Sequence, residues 1–230
     1  TPLTYTEPIS LDAFTPASVL PGQELTISGE YLNLINEVIF TDNVVVPAEE
    51  FVSQSRSEIK VVVPVEAQSG KIIISDGAEI PNWIYSDEDL NVVLPSVEKV
   101  LDLTDAKPGD LVTVTGENLD LVVKVLMPNE DEIKFTVDGD KLTFTLPANA
   151  SDGAISMIPA SGVKVPVATI GMAEPTDLVA TPATELRAGN TIVISGKNLE
   201  VVSTINFPGV DGETEFSLTA DNTIQAVSYT

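Results

Sequence analysis

Short stretches of alternating apolar and polar residues run along the chain, divided by turn-forming residues. In Leu25-Thr26-Ile27-Ser28 the side chains alternate with a period of two, as in a strand that has one buried face. Pro, Gly, Asn and Asp interrupt such runs about every eight to twelve positions, and sustained helical periodicity is absent. The pattern predicts an all-β protein built from antiparallel sandwiches.

One segment of this pattern occurs three times without gaps. The copies begin at Pro21-Gly22, Pro108-Gly109 and Ala188-Gly189. Each copy continues through two apolar strand positions to a second glycine and then a leucine, at Gly29 and Leu32, Gly116 and Leu119, and Gly196 and Leu199. We expect the second glycine to end a strand where φ is positive or the backbone bulges. The leucine is expected to fill the core.

The repeats divide the chain into three units, 1–94, 95–174 and 175–230. A later segment, in which a glycine follows a proline by six residues, occurs at Pro64 and Pro147 but not in the third unit. We therefore expect the third sandwich to lack its closing hairpin, and the natural polypeptide to continue past Thr230. The alternatives are a partner strand added by β-augmentation, or compensation by extra residues around Gly209 to Glu215.

Composition excludes most kinds of chemistry. The 230 residues include no Cys and no His, and the formal net charge is −24. Without these side chains there is no thiol nucleophile, imidazole base, structural zinc site or disulfide. The charge repels phosphate backbones, which argues against nucleic acid as a partner. No apolar run reaches the roughly 18 residues of a membrane span, and we expect no catalytic residue, metal or cofactor.

The repeated motif resembles the IPT/TIG domain, which has an immunoglobulin-like fold. It reads Pro-Gly-x-x-Leu-x-Ile-x-Gly-x-x-Leu, then Val-x-Phe, then Val-Pro and a glycine six residues after the proline. The resemblance implies three tandem immunoglobulin-like β-sandwiches, the third incomplete, and it implies no catalytic residues. Tandem units that are acidic and free of cysteine resemble those of bacterial outer-membrane glycan-binding lipoproteins.

This resemblance implies a non-enzymatic array of modules at the cell surface. Such an array acts as a spacer or adhesion scaffold and binds polysaccharide or another surface protein weakly. The alternative is an accessory, non-catalytic region of a polysaccharide-degrading enzyme. The implied location is the bacterial surface, with an anchor in the outer membrane. The chain opens at Thr1-Pro2 without an initiator Met, so either a signal segment has been removed or the chain is a piece of a longer protein.

Two aromatic residues are the candidate ligand-binding residues. Trp83 and Tyr85 are two positions apart on a predicted last strand of the first unit, so they share one face of it. Aromatic faces stack on sugar rings, and a polar neighbour, Asn82, can bind the hydroxyls. The alternative is that Trp83 packs against the second unit or covers the edge of the sandwich.

The second unit lacks these aromatics. Aligning Pro81 with Pro166 places Ala168 and Ile170 opposite Trp83 and Tyr85, so the repeat's own packing does not require the pair.

Asp87-Glu88-Asp89, shortly before Pro95, is interpreted as a solvated linker between the first two units. The alternative is calcium bound at that junction, although no Asp-x-Asp-x-Asp-Gly loop is present.

Overall fold

The computed structural model describes residues 8–183, 189–207 and 215–227, and the fold of this part of the chain is all-β. The alternating pattern predicted the all-β sandwiches, and the five sheets fit the tandem immunoglobulin-like fold that the IPT/TIG resemblance implied. The boundaries between the three units stay a prediction. The strands are given below for each unit in turn.

The first unit contains two facing sheets. Its described strands are β1 (Ser10–Thr15), β2 (Ser18–Val19), β3 (Glu24–Glu30), β4 (Glu37–Thr41), β5 (Val44–Pro47), β6 (Ser53–Gln54), β7 (Glu58–Val62), β8 (Gln68–Ser75) and β9 (Trp83–Val92). One sheet has the order β1-β3-β7-β6 and the other β2-β9-β8-β4-β5. Short 3-10 turns span Leu32–Leu34 and Ala48–Glu50.

The second unit repeats this plan. Its strands are β10 (Ser96–Val100), β11 (Leu111–Glu117), β12 (Val122–Leu126), β13 (Glu132–Ile133), β14 (Phe135–Asp138), β15 (Lys141–Thr145), β16 (Gly153–Pro159) and β17 (Val165–Ile170). The sheet orders are β10-β11-β15-β14 and β13-β12-β16-β17, and a 3-10 turn spans Leu119–Leu121.

The described part of the third unit forms one sheet. Its strands are β18 (Thr176–Thr181), β19 (Thr191–Lys197), β20 (Phe216–Leu218) and β21 (Ile224–Val227), in the order β18-β19-β21-β20. A 3-10 turn spans Leu199–Val201. The expectations for the segment from Gly209 and for Thr230 fall largely on residues outside the described part, and β-augmentation of this unit stays a prediction.

The cores follow the period-two pattern. Leu25 and Ile27 of β3 are fully buried, whereas Ser28 beside them is exposed. The buried apolar residues of residues 11–92 form one cluster, and those of residues 103–170 form a second. The repeated leucines Leu32, Leu119 and Leu199 are all buried, which confirms their predicted core role. Each follows a residue with φ near 55° (Tyr31, Asn118 and Asn198).

The repeated glycines at the strand ends are required by a close contact with the partner strand and not by a positive φ. Gly29, Gly116 and Gly196 do not have positive φ. A Cβ added at each would overlap a carbonyl oxygen of the partner strand, that of Ser10 at Gly29 and its equivalents in the other units. The strand register shifts next to each of these contacts. The positive-φ explanation was therefore wrong, and the bulge lies in the partner strand.

Candidate functional site

Trp83 and Tyr85 lie on the outward face of the first unit. They open strand β9, which pairs with β8 through Ser75 opposite Trp83 and Ile73 opposite Tyr85. Ile84, between the two aromatics, packs against the first core. Because successive strand residues point to opposite faces, both aromatic rings point away from the core. Each of the two residues is 52% exposed.

The start of β9 is also an edge of its sheet. β2 pairs with β9 only at its far end, where Ser18 and Val19 lie opposite Asn91 and Val92. Among the described strands, β8 alone pairs with the half of β9 that carries the aromatics. On its other side, this half of β9 therefore has no strand partner among the described strands.

An apolar row continues from Tyr85 across the sheet. Tyr85 lies opposite Ile73 of β8, Ile73 opposite Ile39 of β4, and Ile39 opposite Val45 of β5. Directly opposed residues share one face of a sheet, so all four side chains are on the outward face. Val45 is 41% exposed and Ile73 is half-buried, whereas Ile39 is buried, with 6% of its surface exposed. These four residues are called the apolar row below.

Polar groups surround the aromatics. The row next to the apolar row runs from Trp83 through Ser75 to Glu37. The loop that leads into Trp83 is held by Asp76, whose Oδ1 accepts hydrogen bonds from the backbone N–H groups of Ala78 (3.2 Å) and Asn82 (3.0 Å). Asn82 itself is exposed. These hydrogen bonds hold the backbone of the loop that leads into Trp83.

The strand pairing changes the comparison with the second unit. Ala168 lies opposite Ile155, which is fully buried, so Ala168 and Ile170 face the core and do not match the outward aromatics. The register shifts between Ile155 and Ser156, and Ser156, the counterpart of Ile73, lies opposite Pro166. The residue matching Tyr85 is therefore Pro166, and the alignment at Ala168 and Ile170 was wrong.

In the second unit two of the four residues that match the apolar row are polar. It runs from Pro166 through Ser156 and Leu126 to Glu132. The apolar row of the first unit is therefore not a general property of the repeat.

Ile39, Ile73 and Val45 were not among the site residues predicted from the sequence. A signal was available, because each lies in the middle of a continuous apolar run: Val38-Ile39-Phe40, Ile72-Ile73-Ile74 and Val44-Val45-Val46. A strand with one solvated face alternates, whereas a continuous run indicates apolar side chains on both faces.

The acidic cluster lies within a strand and not in a linker. Asp87, Glu88 and Asp89 are part of β9, and Asp89 forms an ion pair with Lys71 (3.2 Å). The linker interpretation was therefore wrong. Within the described residues, no group of three acidic side chains is arranged to hold a metal ion.

The clearest electrostatic effect lies away from the aromatics. Lys107 and Glu200 form an ion pair, which raises the pKa of Lys107 and lowers that of Glu200. The dominant cause in both residues is the hydrogen bond between the two side chains.

The described helical segments include none with the length and apolar content needed to cross a bilayer.

Comparison with known proteins yields similar solved structures. No family model matches the chain, and no curated protein matches it. A protein crystallised with a xylogluco-oligosaccharide is 21% identical, with 95% of this chain and 54% of that one covered and a TM-score of 0.33. SGBP-B from a complex xyloglucan utilization locus in Bacteroides uniformis is 20% identical, with 83% and 66% covered and a TM-score of 0.29.

The similarity extends to a protein of another kind. The plexin A4 extracellular region is 13% identical, with 96% of this chain and 21% of that one covered and a TM-score of 0.33. The chain thus spans about half the length of the protein crystallised with the xylogluco-oligosaccharide and about a fifth of the plexin A4 region. Because these TM-scores are low, the function proposed below rests on this chain's own residues.

Proposed function

We propose that this chain is a non-enzymatic array of IPT/TIG-like units at the bacterial cell surface, and that its first unit binds glycan through Trp83 and Tyr85. Asn82 is the polar neighbour that contacts sugar hydroxyls. The observation that carries the proposal is that the two aromatic residues, each about half exposed, share one outward face of a paired strand. In this proposal the array is anchored in the outer membrane.

The chemistry suits sugars because a pyranose ring presents an apolar C–H face and a rim of hydroxyls. An aromatic ring covers the C–H face and excludes water from it, while a nearby amide binds the rim. Pairing with β8 fixes the backbone of Trp83 and Tyr85 before a ligand arrives, so little conformational entropy is lost on binding. The open surface and the small number of rings favour weak binding.

The spacer part of the proposal is supported by polar contacts between the units. The side-chain amide of Gln68 in the first unit donates a hydrogen bond to the carbonyl oxygen of Ser161 in the second (2.9 Å). Lys107 of the second unit pairs with Glu200 of the third. Together with short linkers around Pro95 and Pro175, these contacts limit hinge motion between the units.

Affinity electrophoresis in gels that contain a panel of soluble neutral and acidic polysaccharides tests the binding. We expect at least one polysaccharide to retard the wild-type chain, and the double variant Trp83→Ala/Tyr85→Ala to migrate as in a gel without polysaccharide. The thermal unfolding curve should change little, because both side chains are half exposed.

Tyr31→Asn is the matched control. It removes an aromatic ring from the same unit, and the second and third units have Asn at this position of the repeat. The control should be retarded like the wild type. Two results contradict the proposal: no retardation of the wild type by any polysaccharide, or equal retardation of the wild type and the double variant. A large loss of thermal stability in the double variant would instead identify the two rings as packing residues.

A further inference from the structure

We infer that the glycan bound by the first unit is an uncharged chain that lies across the strands along the apolar row, from Tyr85 to Val45. This inference rests on the proposed function and adds the class of ligand and its direction on the sheet. It depends on the strand pairing of the outward face and on the charges around it.

The length of the apolar row sets the size of the ligand. The row crosses four neighbouring strands, β9, β8, β4 and β5. Neighbouring strands are about 4.8 Å apart, so the row extends for roughly 14 Å. Tyr85 and Val45 are exposed at its two ends, Ile73 is half-buried, and Ile39 is buried and forms the floor between Ile73 and Val45. A surface of this length contacts several sugar units in succession rather than one.

The core cluster of the first unit does not include the four residues of this row. The core of the first unit uses the alternate residues of the same strands, among them Val38, Phe40, Ile72 and Ile74. In the second unit the matching row ends in a carboxylate at Glu132 and has a hydroxyl at Ser156. Exposed apolar surface that the core does not require indicates an interaction site.

The charges near the row exclude anionic ligands. Glu37 is in the adjacent row, Asp76 holds the loop before Trp83, and Asp87 follows Tyr85 along β9. Lys71, the lysine of β8, is engaged by Asp89. Adjacent rows lie within one Debye length, which is about 8 Å at physiological ionic strength. These carboxylates therefore repel negative charges on a ligand bound along the row. A glycan with uronate or sulfate groups is repelled, and so is a second copy of a chain with a net charge of −24.

The direction of the ligand is tested by a pair of matched valines. Val45 (41% exposed) lies in the apolar row, and Val62 (44% exposed) is on β7 in the other sheet of the same unit. Threonine keeps the shape and strand preference of valine but replaces a methyl with a hydroxyl. We expect Val45→Thr to weaken binding of a long oligosaccharide about threefold and Val62→Thr to leave it unchanged.

The measurement is calorimetric titration with fragments of increasing length from the neutral polysaccharide that the wild type retains. Wild-type affinity should rise with length, and the effect of Val45→Thr should appear only with the longer fragments. If affinity does not depend on length, or if the two valine variants behave alike, the proposed direction is wrong. Thermal unfolding of both variants shows whether a lost affinity reflects lost folding.

The charge selectivity is tested with two forms of one backbone. The retained polysaccharide is oxidised at its primary alcohols to the uronate, and both forms are cast in gels. We expect the uronate form to lose retardation at low salt and to regain part of it at high salt, where the repulsion is screened. Equal retardation by both forms, or preference for the uronate form, overturns the inference.

These outcomes are separate from failure of the proposed function. The proposed function fails if no polysaccharide is retained or if Trp83→Ala/Tyr85→Ala binds normally. The further inference fails on its own if the wild type binds through the aromatics but prefers acidic glycans or ignores Val45.

Discussion

At the residue scale, three equivalent glycines are required by a neighbouring strand. Gly29, Gly116 and Gly196 each lie against a carbonyl group of the partner strand where its register shifts. The constraint is steric, because a Cβ would meet backbone atoms that cannot rotate away. By contrast Gly22, at the start of the repeat, has open space around it and a φ of 82°, so its constraint is conformational.

This difference gives a stability prediction. Gly29→Ala forces β1 and β3 apart and should lower the free energy of unfolding of the first unit by about 3 kcal/mol. Gly22→Asn, the control, should cost less than about 1 kcal/mol, because Asn tolerates left-handed backbone. Urea unfolding followed by the emission of Trp83, the chain's single Trp, reports on this unit. Equal losses in the two variants would show that the carbonyl contact is not the constraint.

At the scale of the element, strand β9 carries both the aromatic residues and a β-bulge of three residues. Asp89 lies opposite Lys71 and Tyr85 opposite Ile73, so three residues of β9 face the single residue Ile72. The buried side chain of Ser86 occupies this gap. Its Oγ accepts a hydrogen bond from the backbone N–H of Ile72 (3.0 Å) and donates one to the carbonyl oxygen of Glu88 (2.7 Å). The bulge sets the register in which Trp83 and Tyr85 face outward.

Removing that hydroxyl should therefore destabilise the strand. Ser86→Ala leaves a buried N–H group without its partner and is expected to cost about 2 kcal/mol. Ser28→Ala is the control, since its hydroxyl donates to the carbonyl oxygen of Ala13 at an exposed site and should cost about 0.5 kcal/mol or less. Chemical unfolding of the two variants compares them. If Ser86→Ala is as stable as Ser28→Ala, the hydroxyl does not support the bulge.

The sequence was sufficient to predict the strands, but not to predict which face of the sheet each side chain occupies. The repeat predicted the all-β fold and the burial of Leu32, Leu119 and Leu199. Such predictions need only local information, because alternation of apolar and polar residues indicates a strand with one buried face. The repeat did not predict that Ala168 faces inward, because one register shift at Ile155 reverses the face of every later residue. The apolar row was missed for another reason: the continuous apolar runs indicate apolar side chains on both faces, but its four residues are brought together only by strand pairing.

At the scale of the whole molecule, polar contacts join the predicted units. The joint between the second and third units has the Lys107–Glu200 ion pair, whose side chains are each about one third exposed. Glu200 has a lowered pKa, so the pair persists at neutral pH and is lost as pH falls through that lowered pKa. Lys107 has a raised pKa, so at the alkaline end the pair is lost as pH rises through the raised value. A pair this exposed holds the joint weakly and is screened by salt.

The joint can be followed by energy transfer, because the chain has no Cys of its own. Labels at Ser151→Cys and Ser217→Cys report on the second and third units. We expect Glu200→Gln, strong acid or molar salt to broaden the distribution of transfer efficiencies. Glu130→Gln breaks a similar pair with Lys164 (2.7 Å) inside the second unit and should leave the distribution unchanged. An unchanged distribution in Glu200→Gln would show that the pair does not restrain the joint.

The central claim is that a glycan covers Trp83, and the emission of this residue tests it most directly. The chain's only Trp is 52% exposed at the proposed site, so its fluorescence reports on stacking without a label. Titration with an oligosaccharide that binds by calorimetry should shift the emission to shorter wavelength, with the same midpoint as the calorimetric curve. Calorimetric binding with no change in the emission would place the glycan elsewhere on the molecule and contradict the account.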